Sequence, residues 1–278
     1  MKRLGILDKN RKLEFLKDLT SAENSLITTH TSILIEFDKQ TEKFRLFKNA
    51  INDFRGLLNT NDSTNKYNRL ILEVMSTFRA FLDHWETEIK RKFGKKSQEV
   101  ELFKKATSHE FDNYFSYRFF SGFRNYVQHV RVPIFRINTF INDKNLIETK
   151  ISVNKKELLE SFDGWNAIVI EDFKNQPDLI NVIPLIDELF ESVKRINQTA
   201  INLLDIKGLL NSSNFLLSLR KLQGSFKGDL ALVEFENIPG SQIKLNFLPI
   251  STADYIVKNT KINKLIIPDK LSHRSDSK

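Results

Sequence analysis

Phenylalanine returns at helical intervals through the first half of the chain, and this spacing limits the possible folds more than any other feature. Phe37, Phe44, Phe47, Ile51, Phe54 and Leu58 lie three, four or seven residues apart. They predict a long amphipathic helix over residues 22–58 that stops at the polar run LNTNDSTN. The segment SILIEF can also be read as a strand, which leaves the beginning of this helix open. Leu70, Val74, Phe78, Phe81, Leu82, Trp85 and Ile89 predict a second, core-facing helix ending at Phe93-Gly94. A short helix is expected at 98–106. Thr107 and Glu110 then form a T-x-x-E capping box that predicts the start of a further helix. That helix should end near Arg131, because Pro133 disfavours helical geometry at Val132.

Beyond Pro133 the pattern changes. FRINTFI and LIETKISV flank the turn-forming Asn142-Asp143-Lys144-Asn145 and predict a β-hairpin. Helices are expected around 155–173, from Asp178 to Ile206 and from Asn214 to Leu222, and LALVEFENI and QIKLNFLPI predict a second hairpin around Pro239-Gly240. The expected fold class is mainly α. A helical domain at 1–133 is followed by an α+β region of unknown role at 134–268, with small hairpins, and by a disordered polar tail at 269–278.

With 278 residues the chain can bury one large core or two modest ones. It contains no cysteine, which removes thiol nucleophiles, zinc–thiolate sites, iron–sulfur clusters and disulfides, and fits a reducing, cytoplasmic setting. MKRLGILDKNRK lacks the apolar core of a signal peptide, and no apolar run approaches the roughly 20 residues of a membrane helix, so no membrane partner is expected. The formal charge of +8 favours an anionic partner, although most basic residues are interleaved with Asp and Glu. His30, His84, His109 and His273 form no metal-ligand spacing, and no phosphate-loop, dinucleotide or nucleophile-elbow signature is present, so neither metal nor cofactor is expected. Trp165 is read as core before partner-binding.

The segment Phe111–Arg131 divides sharply on a helical wheel. Phe115, Phe119, Phe120, Phe123, Tyr126, Val127 and Val130 form an apolar arc. Tyr114, Tyr117, Arg118, Ser121, Arg124, Asn125, Gln128 and His129 form a polar stripe without a carboxylate. Arginine forks, tyrosine rings and a histidine that titrates near neutrality suit phosphate and bases. They equally suit a protein interface.

Arg124-Asn125-Tyr126-Val127-Gln128-His129 has the form R-N-x-x-x-H and resembles the signature of HEPN-domain ribonucleases, a resemblance spanning about residues 65–132. It implies a HEPN-like helical bundle in the N-terminal half and metal-independent RNA endonuclease activity. It also implies a homodimer, and a role as a toxin or antiphage-defence effector with a possible antitoxin or other defence-system partner. The motif carries over Arg124, Asn125 and His129 as catalytic residues. The chemistry agrees with them, because RNA supplies its own 2′-hydroxyl nucleophile: His129 would transfer protons, Arg124 would stabilise phosphorane charge, and Asn125 would orient the imidazole or bind the sugar-phosphate. Tyr117, Arg118 and Gln128 are the expected substrate-binding residues. Arg124 and His129 lie roughly 140° apart on an ideal helix, which points to a composite site across a two-fold interface. The alternative is a non-catalytic helical module that binds RNA or protein with the same Arg/Tyr stripe.

Overall fold

The computed structural model describes residues 2–58, 64–130, 136–141, 143, 145, 147–235 and 243–260. Strands β1 (Lys2–Leu7) and β2 (Leu13–Asp18) precede helices α1 (Ser21–Leu57), α2 (Thr64–Phe93), α3 (Gln98–Asn113) and α4 (Phe115–His129). They are followed by β3 (Arg136–Ile141), β4 (Ile147–Asn154), α5 (Lys155–Ser161), α6 (Ala167–Lys174) and β5 (Leu179–Asn181). The series closes with α7 (Val182–Asn202), α8 (Ile206–Leu219), β6 (Asp229–Phe235), β7 (Ile243–Phe247) and α9 (Ile250–Thr260). The described chain is mainly helical with two small antiparallel sheets, as the periodicities predict. Among the described residues, no helix is long and apolar enough to cross a membrane.

The SILIEF segment is helical. Ile27, Leu34 and Phe37 are buried at helical spacing, while Ile33 and Ile35 are 36% and 40% exposed. That burial follows the 3.6-residue period, not the two-residue period of a strand.

The chain forms two compact units, one from Met1–Thr41 with Leu204–Lys278 and the other from Glu42–Leu203, so the structure does not divide at residue 133 as expected. The reason lies in the packing of the second unit. Ile151 and Val153 of β4 are fully buried, and α7 packs on both α3 and α4, so segments on either side of residue 133 share one core.

In the first unit, β6 lies between β1 and β7 in a four-stranded sheet of order β2-β1-β6-β7. Leu4, Ile6, Leu230 and Leu232 are buried on it. The beginning of α1 joins α8 and α9 through the His30 Nδ1–Ser212 Oγ contact (3.0 Å) and a hydrogen bond from Thr252 to Asp38 (2.9 Å). The β6–β7 hairpin matches expectation, although Pro239-Gly240 lies outside the described residues. Helix α8 begins earlier than predicted, because Asp205 accepts from the Gly208 amide and caps it. The expected tail at 269–278 also lies outside the described residues.

The second unit contains the remainder of α1, then α2–α7 and a three-stranded sheet of order β3-β4-β5. Phe44 and Phe47 of α1 both stack on Phe190 of α7, and Trp85 of α2 donates its indole N–H to Asn197 of α7. Helix α2 stops at Gly94, whose φ of 94° is open mainly to glycine. The predicted T-x-x-E capping box starts no helix. The Thr107 hydroxyl donates back to the Lys104 carbonyl, and Glu110 is held by Arg195, so α3 runs through both. Ser97 caps α3 instead, accepting from the Val100 amide. The break comes at Tyr114, whose backbone is extended (φ −124°, ψ 118°). The predicted Asp178–Ile206 helix yields its first residues to β5, and Asn181 caps α7.

Candidate functional site at the end of α4

Helix α4 is fixed by what its aromatic face touches. Phe119, Phe120, Phe123 and Tyr126 are fully buried. Phe119 and Phe123 stack with centroids 5.0 Å apart, and Phe123 and Tyr126 stack at 5.9 Å. The Trp165 indole, from the segment between α5 and α6, stacks on both Phe119 (6.3 Å) and Tyr126 (6.2 Å) and donates its N–H to the Leu158 carbonyl. Trp165 is therefore core, as expected. Gly122 makes this approach possible, since a Cβ there would lie 2.8 Å from two indole carbons. Ser161 adds a hydrogen bond to the Tyr126 hydroxyl (3.2 Å). At the other end, a Glu188 carboxylate oxygen accepts from the Ser116 amide, placing negative charge at the helix N-terminus.

With the apolar face held, the polar stripe separates into two halves. The first half is interior. Tyr117 is 4% exposed and meets Phe78 edge-on at 5.3 Å; burial, reinforced by the Glu110 carboxylate, pushes its hydroxyl pKa upward. Arg118 is 8% exposed and makes two hydrogen bonds to Asp172 (2.7 and 3.1 Å) and two more to the carbonyls of Phe111 (2.6 Å) and Asp112 (2.9 Å). It satisfies the end of α3 and ties it to α6. The structure thus places Tyr117 and Arg118, expected to hold substrate, in packing. Tyr114 is similarly engaged, with the Arg195 guanidinium 4.3 Å above its ring. The same guanidinium pairs bidentately with Glu110, which raises the arginine's pKa further.

The second half faces outward. Arg124 is half-buried, and Asn125, Gln128 and His129 are exposed. None of the four makes a side-chain hydrogen bond or ion pair among the described residues. On the helix, Gln128 and Asn125 fill the arc between Arg124 and His129, which are separated by roughly 140° and about 7.5 Å of rise. The structure therefore brings half-buried Arg124 and exposed Asn125, Gln128 and His129 onto one outward-facing stripe and removes Tyr117 and Arg118 from it. Arg131 and Pro133, invoked for the helix end, lie outside the described residues; α4 closes with the Val130 amide donating to the Tyr126 carbonyl at 2.8 Å.

A helical wheel omits the strands beyond α4. Arg136, Asn138, Phe140 and Lys150 share one face of the β3–β4 hairpin, and alternation at every second residue in FRINTFI and LIETKISV is the signal that marks them. Among the described residues, no group of three or more His, Asp or Glu side chains converges as a metal-binding set. The chain matches no protein-family model, no curated protein and no solved structure.

Proposed function

We propose that the chain is an RNA endonuclease of HEPN type that works without a metal and acts as a homodimer. The supporting observation is the set of half-buried Arg124 and exposed Asn125, Gln128 and His129, without a described side-chain partner on a helix whose opposite face is immobilised by Trp165 and four buried aromatics. Rigid placement of acid–base and cationic groups is what this chemistry requires. In the reaction the RNA 2′-oxygen attacks the adjacent phosphorus and the bond to the 5′-oxygen breaks, leaving a 2′,3′-cyclic phosphate and a 5′-hydroxyl. One proton leaves the 2′-hydroxyl and one reaches the 5′-oxygen. His129 serves one transfer and the same residue of a second copy the other, while Arg124 neutralises the phosphorane. Asn125, one turn before His129, orients the imidazole. A HEPN-like arrangement of α2, α3, α4 and α7, which pack on one another, belongs to this proposal. The engagement of Tyr117, Arg118 and Tyr114 in packing weakens the competing view of a broad Arg/Tyr binding strip.

The test incubates the purified chain with mixed RNA in EDTA beside His129→Ala and Arg124→Ala. Cleavage should fall by about 100-fold or more in each variant. RNA that is bound but never cut, or variants that cut as fast as the parent, would refute the assignment. A forced monomer cleaving at the full rate would refute the two-copy site.

A further inference from the structure

We infer that the outward face of the β3–β4 hairpin is a binding surface for single-stranded RNA, holding the strand on its way to or from the α4 terminus. The inference rests on the ribonuclease reading and extends it to a second set of residues.

Strand pairing defines the face. Arg136 pairs with Ser152, Asn138 with Lys150 and Phe140 with Glu148, and alternation puts these six side chains on one side of the hairpin. Ile137, Thr139, Thr149 and Ile151 lie on the other side, where Ile151 is fully buried and Thr149 donates to the Leu58 carbonyl at the end of α1. The hairpin is thus anchored at its Thr149–Ile151 end, where Ser152 on the first face is buried as well, while Thr139 and Ile141 on the second face are exposed. On the first face Arg136, Asn138 and Lys150 are exposed and Phe140 is half-buried. The Lys150 ammonium lies 4.9 Å from the centre of the Phe140 ring.

Charge selects the occupant. From Arg118 to the end of the second unit, the described cations Arg118, Lys155, Lys156, Lys174, Lys194 and Arg195 each form an ion pair with an acid. Arg124, Arg136 and Lys150 do not, among the described residues. One of the three belongs to the candidate site and the other two to the hairpin face. Glu148 is the single described carboxylate on that face. Cations without an acidic partner among the described residues, beside an aromatic ring and an amide, are the elements that hold a single strand: phosphates meet the cations, a base stacks on the ring and the amide reads a base edge. Among the described residues of this face an apolar protein partner would find one ring. The seven residue steps from His129 to Arg136 span at most about 25 Å, within reach of a short oligonucleotide.

The experiment uses the full chain carrying His129→Ala, so that a fluorescent single-stranded RNA probe persists, and measures its affinity as a function of salt. Arg136→Gln with Lys150→Gln should weaken binding about tenfold and reduce the log–log salt slope by about 1.4, the share of two phosphate contacts. Phe140→Ala should weaken it about 5- to 100-fold with the slope preserved. Unchanged affinity and slope in these variants would overturn the inference. Cleavage by the chain with native His129 is followed in parallel. If that chain never cuts while the hairpin substitutions still weaken binding, the nuclease reading fails and the hairpin surface stands; if it cuts and the substitutions change nothing, the reverse holds.

Discussion

Replacing Arg118 with alanine separates a structural role from a substrate role at the residue where the two are most easily confused. The change deletes four hydrogen bonds, two to Asp172 and two to the last carbonyls of α3. Removing one partner of a buried ion pair costs about 3–5 kcal/mol, because the other charge is left without compensation. The Asp172 side chain remains 23% exposed, so water recovers part of that loss and the expectation is about 3 kcal/mol. For a chain of this size that corresponds to a fall in Tm of about 6–12 °C. Both tryptophans, Trp85 and Trp165, lie in the second unit, so their fluorescence follows melting of that unit alone. Arg118→Lys should fall between parent and alanine variant, since an ammonium cannot span the carboxylate and two carbonyls with one planar fork. A cycle combining Arg118→Ala with Asp172→Asn should give a coupling of about 2 kcal/mol. The reasoning fails if Arg118→Ala melts within about 1 °C of the parent while RNA affinity drops, for Arg118 would then be a ligand contact.

Two further outcomes depend on geometry of the same kind. Gly122→Ala should destabilise the second unit by about 1–3 kcal/mol despite alanine's better helix propensity, because the new Cβ meets the packed Trp165 ring at 2.8 Å; an altered near-ultraviolet circular dichroism spectrum should accompany the loss, and a stabilised variant would contradict it. In the first unit, a hydrogen bond from Lys17, aided by the Thr20 amide and hydroxyl, holds the Glu23 carboxyl down at about 2. A depressed carboxylate stabilises the fold fully above its ordinary pKa near 4.5 and loses that contribution as pH falls from there through about 2. The difference in melting temperature between parent and Glu23→Gln should therefore be largest near neutrality and shrink across that window, and a constant gap from pH 7 to pH 2 would show that the ionised form carries no advantage.

The parts of the fold legible in the sequence are those whose signal is local. The aromatic spacing of α2 and α4 depends only on the helical period, and both hairpins depend on alternation around turn residues; Asn145, at φ 61°, occupies the left-handed region that asparagine tolerates. The exposed end of α4 is legible for the same reason. Features set by distant partners escape. A wheel gives Arg118 an angle but not a neighbour, and its acid stands on α6, 54 residues later. Thr107 and Glu110 satisfy a capping pattern, yet Arg195 on α7 claims the glutamate. Strands β1 and β2 each have six residues, and Leu4 and Ile6 become a recognisable core pair only when β6 lies beside them.

That pairing of β1 with β6 sets an order of events at the ribosome. Every residue of the second unit has been synthesised once Leu203 emerges, whereas the first unit must wait for Asp229–Phe235 to supply the strand that lies against Lys2–Leu7. Until then β1 has only β2, and an isolated two-stranded hairpin is marginal in water. Translation that stops near residue 205 therefore releases a chain with its helical unit complete and its β1–β2 hairpin lacking β6, the form most exposed to edge-to-edge association and to proteases.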